Sequence, residues 1–183
     1  MTEIKLRLKV KYENGIVKQL MEENKYENIM QVPKLLKITI NMGVGSATSN
    51  QKDLESAVKD LAKISGQKPI ITKAKKSIAN FKVRAGNSIG CKVTLRGNRM
   101  YEFLDRLLNI AIPRIKDFRG ISKEGFDGNG NFTLGLKEQA IFPEVDLEES
   151  QVIKGMNITL TTNISSDKDA LNLIEKFGFP FKK

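Results

Sequence analysis

Apolar and polar residues alternate in short runs along this chain, and longer stretches repeat every three or four positions. Leu36, Ile38, Ile40 and Met42 alternate with Lys37, Thr39 and Asn41, which predicts a strand with one apolar and one polar face, ending in Gly43-Val44-Gly45. Leu54, Val58, Leu61 and Ala62 then share one face of a predicted helix, with Ser49 or Asn50 as N-cap and Gly66 as C-cap. Past Pro69 come three strand-like pieces. The first is Ile70-Ile71-Thr72; in the second, Ala79, Phe81 and Val83 alternate with polar neighbours. In the third, Ile89, Cys91, Val93 and Leu95 alternate with Gly90, Lys92, Thr94 and Arg96.

The C-terminal half continues in the same manner. Asn98 is read as the cap of a helix carrying Tyr101, Leu104, Leu107, Leu108 and Ala111, stopped at Pro113. A turn at Asp127-Gly128-Asn129-Gly130 leads into Phe132, Leu134 and Leu136, and a further strand runs through Met156, Ile158, Leu160 and Thr162. The last helix, capped near Ser166 or Asp167, carries Leu171, Ile174 and Phe177. At the other end, Ile4, Leu6, Leu8, Val10 and Tyr12 alternate as a strand would, whereas Ile16, Val17, Leu20 and Met21 have helical spacing. The sum is an α+β pattern: one domain over 1–183, a mainly antiparallel sheet with helices on its apolar face and a polar, basic face opposite.

Charge sharpens this picture. The 183 residues carry 31 Lys+Arg against 21 Asp+Glu, a formal net charge of +10. From Leu61 to Tyr101 there is no acidic residue but ten basic ones: Lys63, Lys68, Lys73, Lys75, Lys76, Lys82, Arg84, Lys92, Arg96 and Arg99. A solvated surface normally mixes signs, so this segregation points to a polyanion. The basic residues do not line one side of an amphipathic helix, which favours nucleic acid over a membrane surface. A smaller opposite block, Glu138, Glu144, Asp146, Glu148 and Glu149, holds no basic residue and is expected to face solvent or a basic neighbour.

What is missing narrows the chemistry. Without histidine the commonest general base and imidazole-built zinc sites are absent, and the single Cys91 cannot form an internal disulfide, as suits a reducing cytoplasm. No run approaches the ~18 apolar residues of a membrane span. The interleaved charges of Met1–Arg7 lack a signal-peptide core. No catalytic residue, metal ligand or cofactor is therefore assigned. Gly43-Val44-Gly45-Ser46-Ala47-Thr48 resembles a dinucleotide loop, but Thr48 replaces its third glycine; a nucleotide-binding enzyme using this turn is the weaker alternative. Asp127, Asn129, Asn131 and Glu138 imitate a calcium loop whose required glycine is Phe132. Cys91 reads as core packing, and Phe81, alternating with Ala79 and Val83, reads as core in preference to a base-stacking surface.

The polar strand face offers Lys37, Thr39 and Asn41 beside Lys92, Thr94 and Arg96: cations and small hydrogen-bonding groups suited to a folded RNA backbone and its 2′-hydroxyls. It carries no aromatics to stack splayed bases. Lys73, Lys75 and Lys76 form a loop tip expected to touch phosphate, and Arg114, Lys116 and Arg119 make a second, smaller basic loop.

Several ordered motifs carry a resemblance. These are Met30-Gln31-Val32-Pro33, Asn41-Met42-Gly43-Val44-Gly45, Ser65-Gly66-Gln67-Lys68-Pro69 and Ile71-Thr72-Lys73-Ala74-Lys75-Lys76-Ser77. They continue with Lys92-Val93-Thr94-Leu95-Arg96-Gly97, Pro113-Arg114-Ile115-Lys116-Asp117-Phe118-Arg119-Gly120, Phe126-Asp127-Gly128, Gln139-Ala140-Ile141-Phe142-Pro143-Glu144 and Phe179-Pro180-Phe181. From about Tyr12 to Lys183 the chain resembles the family of the bacterial-type fifth protein of the large ribosomal subunit, which binds 5S rRNA. Met1–Lys11 departs from the family's usual start and is read as a variable extension.

The resemblance implies a helix near Glu13–Glu23 and a structural, non-enzymatic protein of the ribosome's central protuberance in the cytoplasm, acting as a monomer there. It implies contacts to 5S rRNA centred on Asn41, Gln67 and Thr94, and a role in attaching 5S to 23S rRNA. It places the loop Lys73, Lys75, Lys76 and Ser77 toward P-site tRNA. A small-subunit head protein is met by loops assigned here to Arg114, Lys116, Arg119 and the acidic block. A regulator binding RNA outside the ribosome is the other alternative.

Overall fold

The alternation at Ile38, Ile40 and Met42 is realised as strand β1 (Leu35–Gly43) in the computed structural model, which describes residues 6–146 and 153–182. Ile38, Ile40 and Met42 are fully buried while Asn41 is exposed. The apolar face starts one residue away from expectation, with Leu35 buried and Leu36 40% exposed.

In chain order the helices are α1 (Arg7–Lys11), α2 (Val17–Asn24), α3 (Gln51–Ser65), α4 (Gly97–Arg106) and α5 (Asp167–Phe177). A π-helical turn over Tyr12–Ile16 joins α1 to α2 without a break. The remaining strands are β2 (Ile70–Lys73), β3 (Ser88–Leu95), β4 (Phe132–Leu136) and β5 (Met156–Thr162). The five strands form an antiparallel sheet in the order β2-β3-β1-β5-β4. The described residues cluster into two compact units. One holds residues up to Ile38, Leu95–Leu134 and those from Thr159 on; the other holds Thr39–Thr94 and Gly135–Ile158.

In the first unit the strand expected from Leu6 to Tyr12 is instead helical; Ile4 lies outside the described residues. Leu8, Ile16 and Leu20 are buried and Tyr12 half-buried, so the decisive spacing is four residues, not two. The Tyr12 ring stacks 5.8 Å from Phe177 of α5, and its hydroxyl donates to the Pro33 carbonyl at 2.8 Å. α4 buries Met100, Tyr101, Phe103 and Leu104; it begins at Gly97, so Asn98 lies inside it and Arg96 takes the cap position. α5 starts after Ser166, and the Asp167 carboxylate accepts the backbone N–H groups of Gly128 (3.1 Å) and Gly130 (2.8 Å), fixing the turn before β4.

In the second unit, α3 is capped as its sequence predicts. The Asn50 side chain accepts the Lys52 N–H at 3.2 Å, and Gly66 closes the C-terminus at φ +64°. Its buried face is Leu54, Ala57, Leu61 and Ile64. The piece around Ala79, Phe81 and Val83 is not a strand. Ala79–Phe81 is a 3₁₀ turn, Lys82 takes a left-handed φ of +53°, and Ile78 and Val83 close it as an isolated bridge.

Candidate nucleic-acid interface

Within the second unit, β1 and β3 turn the same kind of face outward. Ile40, Met42, Cys91 and Val93 are buried, so Thr39 and Asn41 on β1 and Lys92 and Thr94 on β3 occupy the opposite side by strand alternation. Asn41 and Lys92 are exposed; Thr39 and Thr94 are half-buried. The strands approach closely at one end, where Val44 N–H donates to the Ile89 carbonyl at 2.9 Å. A Cβ on Gly90 would lie 2.6 Å from the Met42 carbonyl oxygen, so glycine is required there.

Gln67 meets β3 from the end of α3. The Ser65 hydroxyl donates to the carbonyls of Leu61 (2.7 Å) and Gln67 (3.0 Å), setting the turn past Gly66. Gln67 Nε2 then donates to the Thr94 carbonyl at 3.4 Å. Among the described residues, no hydrogen bond occupies the Asn41 amide or the Thr94 hydroxyl, and no ion pair engages Lys37, Lys92 or Arg96. These groups are available to a ligand that offers phosphate oxygens and hydroxyls. Lys37 is half-buried near the start of β1 and Arg96 is exposed just beyond β3; both belong to the first unit. Ile70 also borders this face. It pairs with Lys92 across β2 and β3 and is 65% exposed, an apolar contact surface that no local pattern signals.

The segment between β2 and β3 is internally braced. Ala74 N–H donates to the Asn87 carbonyl and Gly86 N–H to the Ala74 carbonyl, while Ile78 and Val83 exchange backbone bonds. The Ser77 hydroxyl accepts the Ala85 N–H at 2.9 Å and so holds the loop in shape. Lys73, Lys75 and Lys76 are exposed and unpaired among the described residues. Phe81, expected in the core, is 71% exposed, because the turn at Ala79–Lys82 directs it away from any strand face.

The other candidates separate from this surface. Arg114, Lys116 and Arg119 are exposed in the first unit. Of the acidic block, Glu138 and Asp146 are exposed; Glu148 and Glu149 lie outside the described residues. Gly43–Gly45 leads into a short 3₁₀ turn (Gly45–Thr48) and then α3, and an antiparallel sheet supplies no parallel crossover for a dinucleotide. The Asp127 carboxylate is occupied by Asn129 N–H (2.9 Å), Asn131 N–H (3.1 Å) and the Asn131 amide (2.8 Å), which hold its pKa below the usual carboxylate value. Among the described residues there is no cluster suited to a metal ion and no helix long and apolar enough to cross a membrane. Burial pushes the Cys91 thiol up to about 11, so it is no nucleophile.

Comparison with known proteins covers almost the entire chain. Residues 28–84 match the model described as ribosomal protein L5, and residues 88–181 match the model for the C-terminus of the same ribosomal family. The large ribosomal subunit protein uL5 of Mycoplasma mycoides is 56% identical over 180 residues, covering 98% of this chain and all of that protein. The uL5 proteins of Nitrosomonas europaea (57% over 176 residues; 96% and 98% covered) and Clostridium acetobutylicum (57% over 175; 96% and 97%) are similarly close.

Proposed function

Because the chain belongs to the ribosomal protein L5 family, a structural and non-enzymatic family of the large ribosomal subunit, we propose that it binds 5S rRNA there through the outward face of β1 and β3. The observation that carries this reading is the unoccupied amide of Asn41 beside a strand whose outward residues are Lys92 and Thr94, in the acid-free segment. Asn41, Gln67 and Thr94 supply hydrogen bonds to sugar and phosphate; Lys37, Lys92 and Arg96 neutralise charge, with Thr39 completing the face. Within the second unit the pleat of β1 and β3 holds Thr39, Asn41, Lys92 and Thr94 in fixed register, which supports recognition of the RNA's shape.

The same reading gives the chain further work on the ribosome, in the cytoplasm. It helps attach 5S to 23S rRNA, the loop Lys73, Lys75, Lys76 and Ser77 faces P-site tRNA, and Arg114, Lys116 and Arg119 meet a small-subunit head protein. Titration of the full chain with 5S rRNA, against a structured RNA of equal length, tests the core of it. Preferential binding that Asn41→Ala weakens is expected. Equal binding of both RNAs, unaffected by that substitution, overturns it.

A further inference from the structure

Phe81 is the one aromatic among the exposed large apolar side chains of the described residues. It is held there by architecture. Lys82 N–H donates to the Ala79 carbonyl at 2.9 Å, the Ile78–Val83 bridge closes the turn beneath, and Ser77 braces Ala85. Lys82 adopts its left-handed conformation to complete the turn without a glycine, although an L residue is disfavoured there. A 71%-exposed phenyl ring on a braced turn is a poor arrangement for a side chain facing water alone. Ile78, 47% exposed, widens the apolar surface. Around it in sequence stand Lys73, Lys75, Lys76, Lys82 and Arg84, all exposed, with no acidic residue between Leu61 and Tyr101.

An exposed apolar ring in a segment (73–84) whose cations are unpaired among the described residues matches one ligand chemistry: a nucleobase plane carried on a phosphate backbone. We propose that Phe81 is a base-stacking platform, on which an exposed base of an RNA lies flat while Lys75, Lys76, Lys82 and Arg84 take the flanking phosphates. This rests on the reading of the chain as an RNA-binding ribosomal protein, and adds a base contact where that reading assigns phosphate contacts alone. An apolar protein partner is disfavoured, because five neighbouring cations would have to be desolvated or matched with acids.

The chain contains no tryptophan, so Phe81→Trp installs a single tryptophan at the platform, excited selectively over the three tyrosines. Full-length Phe81→Trp is titrated with 5S rRNA, following fluorescence and, in parallel, RNA retention on filters. Ribosomes carrying Phe81→Ala, Phe81→Leu or Phe81→Tyr are compared for affinity toward deacylated tRNA in the P site. The two arms separate the sources of the base. Saturable quenching by 5S rRNA places the base there; loss of tRNA affinity places it on tRNA. In the second case Ala and Leu weaken binding by ~5- to ~150-fold while Tyr retains it. The proposal fails if retained 5S rRNA leaves the fluorescence unchanged and all three ribosomal variants hold tRNA equally. If neither RNA is bound at all, the RNA-binding reading falls with it.

Discussion

Gln67 donates its side-chain N–H to the main-chain carbonyl of Thr94 at 3.4 Å, tying the residue after the α3 cap to the C-terminal end of β3. The bond uses the Thr94 backbone, so the Thr94 hydroxyl is left to another partner. Thr94→Val keeps the β-branched shape and the Gln67 bond while deleting that hydroxyl. The expected result is an unchanged unfolding midpoint and a 5S rRNA affinity reduced by about threefold to tenfold, the net value of one hydrogen bond at ~0.5–1.5 kcal/mol. Filter binding and a thermal melt check it; unaltered affinity removes Thr94 from the contact set.

The cations of the proposed surface have no carboxylate partner among the described residues, so their charge is available to phosphate. With roughly six to ten phosphates neutralised, affinity for 5S rRNA should fall by ~10³–10⁵ between ~50 and ~200 mM salt. Lys92→Gln should shallow the log–log slope by about one. A flat salt titration contradicts an interface made by these side chains.

Cys91 makes alkaline pH a probe of the core. Burial is the main cause lifting its pKa to about 11, with Asp60 adding to the rise and Lys154 opposing it. In the unfolded chain a thiol ionises near ~8.5. The folded state therefore holds the proton more tightly, and this contribution is present below about 8.5 and lost as pH rises toward about 11. Tyr12, raised to about 12 chiefly by burial, adds a similar loss further up. Denaturant midpoints measured across pH 8 to 11 should decline, and Cys91→Val should flatten the lower part of that decline. Native protein at about pH 8.5 should resist iodoacetamide until unfolded.

The sheet and α3 were legible in the sequence because their signals are redundant. Ile38, Ile40 and Met42 supply period two, while Asn50 and Gly66 mark both ends of a helix with a buried stripe. Leu6 to Tyr12 misleads because Leu8, Tyr12, Ile16 and Leu20 satisfy both periods over a short window, and packing against Phe177 decides between them. The Phe81 turn was hidden for the converse reason: its left-handed position is filled by Lys82, so no glycine announced it. Alternation alone places Asn41 and Thr94 on the face opposite the buried side of β1 and β3. Gln67 came through family resemblance alone, since its approach to Thr94 depends on how the chain turns after Ser65.

Among the described residues Lys154 is the one buried lysine, and no sequence pattern sets it apart. It is 5% exposed, with Nζ 3.6 Å from Asp60 Oδ2 and 2.9 Å from Ser56 Oγ, and its backbone N–H donates to Gln139 Oε1. Both charges lie out of water, so their attraction offsets a large desolvation cost and neither tolerates loss of the other. Lys154→Met is expected to destabilise the chain by ~3–5 kcal/mol, because it takes the cation away from the buried Asp60 carboxyl group. Adding Asp60→Leu removes the acidic member of the pair as well and should recover part of that loss, giving a measurable coupling in a double-mutant cycle. Urea unfolding supplies the free energies. At concentrations where the single variant is folded, its 5S rRNA affinity should match the parent, unlike that of Lys92→Gln. A loss under ~1 kcal/mol would mean that the pair is solvated in solution; weakened RNA binding by the folded variant would place Lys154 in the interface instead.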